Sequence, residues 1–369
     1  MAAQTLTGVN VPPAQTWNYL RINDISLELP TVVSKGTVPS RLPRLFSQME
    51  CGLGKEAVSW IEASAGDARY VEVPRGTTFE EPILVDVASD GGEVHDLGVL
   101  LREGASATVV VAARGTGTGA AASSAALVRV IVERGAHLKV VEILSVGDGN
   151  QHLEGLGIQA DDDSSVEIRQ YALGGARRAV GLAVDLAGKG ASLRLDSRYL
   201  VGGHDLLDIN HVVRQRGRNT RCDIVTQGLL EDAAHKTLRE TIDLVHGAKG
   251  AKGNEVETVL VAGDEVVNKT LPVILCDEDD VAGNHGASIG SVSPEQLAYL
   301  AGRGLSEDEA TKLFARAILD DAAIHAPEGV SLACALERAE QVLGAEIAHD
   351  AADTLGLEPT NSEDEEASA

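Results

Sequence analysis

Aromatic side chains are scarce in this sequence, since Phe, Trp and Tyr together make up only 3% of its 369 residues. A core anchored on a few large rings is therefore excluded, because such rings dominate the cores that use them. Hydrophobic residues nevertheless reach 44%, most of them Val, Leu, Ile and Ala. This composition favours a repetitive stack of aliphatic side chains.

Basic residues are also few, with 31 Lys and Arg against 56 Asp and Glu and a formal net charge of −25. Proteins that bind nucleic acid need a basic surface for the phosphates, and anionic membranes attract the same kind of surface. The sequence contains no basic run. We therefore expect no nucleic-acid partner and no membrane partner.

Cysteine is rare and scattered, at positions 51, 222, 276 and 334, with no Cys-x-x-Cys pair. This spacing argues against a disulfide framework or a closed zinc site and is typical of a reducing compartment. No run of 18 apolar residues occurs, and the first residues lack the basic and apolar regions of a signal peptide. We expect a cytoplasmic protein.

Two nucleotide-binding motifs can be tested directly. No G-x-x-x-x-G-K-[ST] sequence is present, so the chain is not itself a P-loop ATPase. Residues 115–120 formally fit the dinucleotide pattern G-x-G-x-x-A, but the next apolar strand begins at Leu127. That interval leaves no room for the helix that must hold the pyrophosphate. We interpret residues 115–120 as a flexible loop.

A short unit of one turn residue and one strand repeats through the middle of the chain. It begins at Gly104, Gly135, Asp163, Gly190 and Asn219, with separations of 31, 28, 27 and 29 residues. Apolar or small side chains occupy the fourth and sixth positions, as in a half-buried strand. A period between 20 and 50 residues without helices predicts a β-helix, here over residues 71–290. A β-sandwich is the alternative, although it does not require so even a period.

The flanking regions differ from this repeat. Residues 1–70 are expected to form a mixed, partly helical region, with a helical patch at 55–62 and with Trp17 and Tyr19 as packing anchors. Residues 291–350 are expected to form a helical region, which begins with an N-cap at Ser293. Residues 351–369 form an acidic tail with too little apolar surface to fold, so we expect it to be disordered.

Two further helices are predicted in the C-terminal region. Ser306 and Glu309 form a capping-box pattern at the start of one of them. Its apolar face has the helical spacing of Ala310, Leu313, Phe314, Ala317 and Ile318. The last helix is expected to begin near Ser331 and to carry Leu332, Leu336, Ala339, Leu343 and Ile347 on its apolar face.

His285 is the leading candidate for chemistry. It lies between Gly283 and Gly286, which predict a tight, open loop that leaves the imidazole uncrowded. Imidazole is both a metal ligand and a proton carrier near neutral pH. Cys276 ends an apolar strand nine residues earlier, and its thiolate is a second candidate ligand. A free cysteine is equally well explained as a small buried hydrophobic residue. His204, Asp208 and His211 cannot converge on one strand face, so we assign them structural roles.

A longer motif surrounds His285. The run His-Gly-Ala-Ser-Ile-Gly at 285–290 is followed by Glu-Gln-Leu-x-Tyr-Leu-x-x-Arg-Gly-Leu at 295–305. This pattern resembles the SufB/SufD family, the subunits that assemble iron–sulfur clusters in the SUF system, with a detailed match over residues 271–320. The resemblance implies a SufBD-type β-helix core with helical flanks. It also implies pairing with a SufB-type subunit, or with a second copy, and docking of a SufC-type ATPase on the C-terminal helices.

The resemblance also suggests which side chains meet these partners. Cluster-assembly candidates are His285, as the one candidate metal ligand, and Cys276. The candidates for docking the ATPase lie on the first two C-terminal helices and in the turn between them: Leu297, Tyr299, Leu300, Arg303, Leu313 and Phe314. We expect no stably bound cofactor, only a transient iron–sulfur cluster shared with a partner.

The branch of the family depends on one position. SufB-type sequences read His-Glu-Ala at the motif, whereas this chain has Gly286 and is more similar to SufD. Many SufD-type sequences carry a Cys two residues before the histidine, and here that residue is Gly283. We expect a non-enzymatic, SufD-like subunit. The alternatives are a stand-alone SufB-like homodimeric scaffold, a passive structural solenoid, or a β-helix carbohydrate-active enzyme, which needs paired carboxylates.

Overall fold

The computed structural model describes residues 3–16, 18–23, 25–32, 40–291, 294–349 and 356. The expectations for Trp17, for the cap at Ser293 and for nearly all of the acidic tail fall outside these ranges. The side chain of Leu297 also lies outside the described part of the chain.

Two eight-stranded parallel sheets form the centre of the molecule, and successive strands alternate between them. The chain therefore winds as a β-solenoid of about eight turns, as the repeat predicted. The odd-strand sheet contains β3 (Arg69–Val73), β5 (Val94–Leu101), β7 (Ser123–Val132), β9 (Gln151–Ala160), β11 (Arg177–Leu186), β13 (Leu206–Gln215), β15 (His235–Leu244) and β17 (Val267–Cys276). The even-strand sheet contains β4 (Ile83–Ala88), β6 (Ser106–Arg114), β8 (His137–Ser145), β10 (Ser165–Gly174), β12 (Ser192–Val201), β14 (Arg221–Glu231), β16 (Lys252–Ala262) and β18 (Ala282–Gly290).

The residues that open each repeat make the turns of the solenoid. All five have a left-handed backbone: Gly104 (φ 68°), Gly135 (65°), Asp163 (52°), Gly190 (72°) and Asn219 (57°). Glycine adopts this conformation without strain, and Asp and Asn are the residues that tolerate it next best. The sequence period therefore reflects one backbone requirement in each turn.

The space between the two sheets, which we call the bore, holds the core. The sixth repeat positions of successive even strands stack in register, as in the column Val109, Val140, Ile168, Leu195 and Ile224. All five side chains are fully buried. Burial of each such aliphatic side chain contributes about 1.5–3 kcal/mol, so the stack stabilises the fold without aromatic anchors.

The N-terminal region covers the outer face of the odd-strand sheet. It consists of the antiparallel pair β1 (Ala3–Leu6) and β2 (Leu27–Pro30) and of helix α1 (Lys55–Ser64). Trp60 and Ile61 of α1 pack in a cluster with Leu127 of the sheet. Tyr19, however, is 79% exposed, so its prediction as a packing anchor was wrong.

Three helices follow the solenoid: α2 (Pro294–Ala301), α3 (Glu307–His325) and α4 (Val330–Leu343). The predicted capping box of Ser306 and Glu309 is present. Helices α3 and α4 cover the outer face of the even-strand sheet, where they pack on Tyr171 and Leu200. Helix α4 ends at Leu343, so Ile347 lies beyond it. Among the described helices, none is long and apolar enough to cross a membrane.

The buried face of α3 differs in part from the predicted one, since Ala310 and Ile318 are buried as predicted but Ala317 is exposed. Leu313 and Phe314 are 50% and 45% exposed, and the helix instead packs through a face rich in alanine: Ala315, Ile318, Leu319, Ala322 and Ala323. Two polar contacts hold the helix with this face toward the sheet. Asp321 accepts a hydrogen bond from Tyr171 (2.7 Å) and forms an ion pair with Arg198 (2.7 Å). Small side chains also let the helix approach the sheet closely, so this face packs better than the larger one.

Candidate functional site

His285 lies on a strand, and the prediction of a tight glycine loop was wrong. Strand β18 pairs in parallel with β16 along residues 282–290. Neither Gly283 nor Gly286 has a positive φ. The run around His285 is a weak strand former by composition. Its pairing with β16 therefore decides the conformation, and local propensity does not.

The imidazole of His285 faces the bore. A Cβ placed on Gly283 meets Ile274 and Leu244, whereas one placed on Gly286 meets no atom within 4 Å. Because side chains alternate along a strand, residues 283 and 285 point inward and residue 286 points outward. Strand β18 is the last strand of its sheet. The bore is therefore open at this end, and His285 is exposed there.

Cys276 lies at the same end of the solenoid. It is the last residue of β17, in register with Leu244 of β15, and β17 and β18 contact each other. Its thiol is exposed and donates a hydrogen bond to the carbonyl of Glu278 at 3.3 Å. The alternative of a buried hydrophobic cysteine was therefore wrong for Cys276, although it holds for Cys51, Cys222 and Cys334.

The candidates do not form a complete metal site within one chain. Across the described ranges, no group of three or more His, Cys, Asp and Glu side chains is arranged to hold a metal ion. His204 precedes β13, Asp208 pairs with Arg239 at 2.7 Å, and His211 bonds Glu240 at 2.8 Å. Asp208 and His211 have the structural roles that were predicted, whereas His204 is exposed in the turn before the strand.

Sequence reasoning missed a polar column inside the bore. Glu142, Gln170, Ser197, Thr226 and Glu257 stack in register on five successive even strands. All five are buried. Each one occupies the eighth position of its repeat, an inward position that is aliphatic in the earlier repeat, at Val111. A polar residue at a recurring inward position was the signal that could have revealed the column.

Hydrogen bonds join the column to the facing strands. Gln170 donates to Glu142 at 2.7 Å, and its carbonyl oxygen lies 3.0 Å from Nε2 of His211. Nδ1 of His211 lies 2.8 Å from Glu240, which also accepts from Thr226 at 2.7 Å. A continuous network therefore runs from Glu142 in the middle of the bore to Glu240 near its open end.

Burial changes the protonation of these carboxyl groups. It raises the pKa of Glu142 to about 8. Burial, together with the nearby charge of Glu240, raises the pKa of Glu255 to about 9. Burial acts to raise the pKa of Glu240 as well, but the hydrogen bond and charge of His211 outweigh it, so that pKa is lowered. At neutral pH the facing groups Glu240 and Glu255 therefore hold one proton and one negative charge.

A buried ion pair lies beside them. Lys236 is 2.5 Å from Glu257, which also accepts hydrogen bonds from Tyr199 (2.9 Å) and Thr270 (2.7 Å). The ammonium group of Lys236 lies 5.5 Å from the centre of the Tyr199 ring. Glu257 therefore receives three hydrogen-bond donors, from Lys236, Tyr199 and Thr270.

Ser124, His152 and Glu154 have the spacing of a hydrolytic triad. The serine oxygen lies 2.9 Å from Nδ1 of His152, whose Nε2 lies 3.0 Å from Glu154. All three are fully buried, so no substrate reaches the serine. Burial, with the charge of Arg178, also lowers the pKa of His152 to about 3. The trio is a structural network of the bore.

A family model matches most of this arrangement. The model for the SufBD core domain of SUF system FeS cluster assembly matches residues 85–318. The chain belongs to the SufB/SufD family. The match includes both edge strands, and therefore both His285 and Cys276.

Individual relatives in the family are distant. The chain is 23% identical over 254 residues to an iron–sulfur cluster assembly SufBD family protein of Staphylococcus saprophyticus. It has the same identity, over the same length, to the iron–sulfur cluster assembly protein SufB of Bacillus subtilis. Each alignment covers 68% of this chain but only 55% of the relative. The chain therefore spans about half the length of these relatives.

The docking candidates of this family member lie beside the open end. Tyr299 is 61% exposed, Leu300 is half-buried, and Arg303 lies 4.8 Å from the centre of the Tyr299 ring. Tyr299, Leu300 and Phe314 line a groove whose floor is the part of the even-strand sheet that α3 and α4 leave uncovered, whereas Arg303 and Leu313 do not line it. Ile289 of β18, 55% exposed, lies in the same groove.

Proposed function

We propose that this chain is a non-enzymatic, SufD-like assembly subunit that supports iron–sulfur cluster formation at its interface with a SufB-type partner. The cluster is its transient cargo and not a resident cofactor. The observation that carries the proposal is the open end of the solenoid, where two edge strands hold His285 and Cys276.

The need for a partner follows from the geometry of this end. Strands β17 and β18 are each paired on one side only, and unpaired strand edges are templates for strands of another chain. A three-ligand group is absent from the described residues, and we propose that a partner subunit supplies the remaining ligands. A partner strand that covers Ile289 brings its own side chains opposite His285.

The SufD-like assignment is supported by Gly286. A Cβ at this position meets no atom within 4 Å, so the fold does not require glycine there. The absence of the SufB-type glutamate is therefore a chemical difference and not a packing constraint. A mass measurement of the complex distinguishes pairing with a SufB-type subunit from a homodimer.

The first prediction concerns the cluster. His285→Ala is expected to lower the yield of reconstituted cluster severalfold while folding and complex formation stay unchanged, because alanine neither binds iron nor carries protons. Iron and sulfide analysis measures the yield. Cys276→Ser is expected to lower it without loss of stability, since the thiol is exposed. His235→Ala is the matched control, since His235 is also exposed on the solenoid. Wild-type yield from His285→Ala contradicts the proposed role of this residue.

The second prediction concerns the ATPase. We propose that a SufC-type ATPase docks on the groove, so Tyr299→Asp with Phe314→Asp is expected to abolish its co-purification, and the chain alone has no ATPase activity. Deletion of the helices is a poor test, because it exposes Tyr171, Leu200 and the rest of the covered sheet face. Tyr19→Asp is the control, since Tyr19 is also exposed but lies in the N-terminal region. Unchanged binding by the double variant refutes docking at the groove.

A further inference from the structure

Glu255 lies directly beneath His285 in the bore. It occupies the sixth repeat position of β16, in register with His285 of β18 on one side and Ile224 of β14 on the other. Neighbouring strands are about 4.8 Å apart, which is within reach of a glutamate and an imidazole on the same face. Glu255 is fully buried, whereas His285 is exposed at the opening.

The carboxyl group of Glu255 has no donor. Neither of its oxygens receives a hydrogen bond from the described residues. Glu257, two residues away on the same face, receives three, from Lys236, Tyr199 and Thr270. A buried polar group without a partner costs several kcal/mol, so the aliphatic residue found at this column position in the other strands is the more stable choice. A glutamate at this position indicates that its carboxyl group binds a ligand or pairs with another side chain.

The surroundings of Glu255 leave one direction open. Glu240 faces it across the bore, and Oε2 of Glu240, like both oxygens of Glu255, has no hydrogen-bond partner among the described residues. A second carboxyl group supplies no N–H donor, so the side of β18, where His285 lies in register, is the direction from which such a donor can reach Glu255.

The ring of His285 has no competing acceptor beside it. Its inward neighbours on β18 are Gly283 and Ala287, which carry no polar side-chain atom. Gly283 faces Ile274, so the residue that faces His285 on β17 is Pro272, two positions earlier. Glu255 is therefore the carboxyl group that lies in register with His285 on the same face of the sheet.

We propose that Glu255 is the positioning residue for His285. In this arrangement the imidazole turns so that one ring nitrogen donates to a carboxyl oxygen of Glu255, which has no donor in the structure, and the other nitrogen is directed out of the bore toward the cargo. Histidines that bind metal commonly donate their second N–H to a carboxyl group or carbonyl, which fixes the tautomer and the ring orientation. This inference rests on the proposed function of His285.

The test measures the tautomer of the His285 imidazole directly. In the full chain labelled with 15N-histidine, at mildly alkaline pH, the ring signals of His285 are identified by their loss in His285→Ala. The expected wild-type result is a single tautomer. Glu255→Ala is expected to give a mixture of both tautomers, and Glu255→Gln, whose amide oxygen still accepts, is expected to restore the single one. Glu142→Gln is the control in the same bore.

The outcomes separate this inference from the proposed function. Unchanged ring signals in Glu255→Ala overturn the positioning role, even where His285→Ala lowers cluster yield. A changed tautomer in Glu255→Ala together with full yield from His285→Ala sustains the contact and overturns the proposed function. If Glu255→Ala fails to fold, a tautomer mixture in the wild type still overturns the inference. Cluster yield from Glu255→Ala is expected to fall severalfold, and by no more than in His285→Ala.

Discussion

At the scale of single residues, the bore places ionisable groups where an ordinary solenoid has aliphatic ones. The buried carboxylate of Glu257 receives three hydrogen-bond donors, whereas Glu142 has one oxygen without a partner. Buried carboxyl groups of this kind stay protonated because the charged form loses its hydration. They therefore make the stability of the molecule depend on pH.

The third prediction follows from Glu142. Burial raises the pKa of Glu142 from 4.5 to about 8. A folded-state pKa above the unfolded one gives stability that is complete below about pH 4.5 and is lost as pH rises through about 8. The free energy of unfolding is therefore expected to fall across this window. Glu142→Gln should remove a part of the fall on the order of 3–5 kcal/mol.

Urea unfolding at a series of pH values measures this effect. The matched control is Glu81→Gln, because Glu81 is exposed and its substitution should leave the pH profile unchanged. If Glu142→Gln follows the wild-type profile between about pH 5 and 9, Glu142 is not protonated in the folded bore.

At the scale of elements, helix α3 is present as predicted, but part of the face that was predicted to be buried is exposed. Its sequence places Leu313 and Phe314 on one side and an alanine-rich strip on another, and helical periodicity alone does not choose between them. The even-strand sheet makes the choice, because Asp321 bonds Tyr171 and Arg198 only in the observed rotation. The larger apolar residues are thereby left for a partner.

The fourth prediction tests this rotation with one substitution at two positions. Ala322 is fully buried against the sheet, whereas Ala317 is exposed. Ala322→Leu is expected to destabilise the protein by about 1–3 kcal/mol through overpacking. Ala317→Leu should change stability by less than about 0.5 kcal/mol. Thermal or urea unfolding compares the two, and equal effects indicate that the other face is buried.

At the scale of the whole molecule, the solenoid is a continuous stack of turns, and its bore is open at the end formed by β17 and β18. Each turn contacts only its neighbours, so stability varies along the axis and is lowest where a neighbour is missing. The strands at the open end, β17 and β18, carry half-buried and exposed side chains throughout, whereas those of β10 and β12 are mostly buried.

The fifth prediction is a gradient of amide exchange. In the isolated chain, hydrogen exchange is expected to be fastest in β18 and slowest in β10 and β12, because the last strand opens without disrupting the rest. Addition of a SufB-type partner should slow exchange in β17 and β18 specifically. Uniform exchange along the solenoid, or protection elsewhere on partner binding, contradicts the proposed interface.

Local chemistry made the fold predictable. Left-handed turn residues such as Gly135 and Asn219 recur at a nearly constant interval, and alternating aliphatic residues follow each of them. Both signals act within a few residues of the chain, so they are readable without a structure. The motif around His285 also carried the family, which the match over residues 85–318 confirms.

The sequence by itself determined the solenoid, its repeat and the identity of the candidate histidine. Only the tertiary structure decided that His285 faces the bore, that Glu255 lies beneath it and that α3 buries its alanine face. The physical reason is distance along the chain. Glu255 and His285 are 30 residues apart and meet only through strand register, and α3 meets a sheet face assembled from many separate turns. Such contacts depend on the whole stack and not on any local pattern.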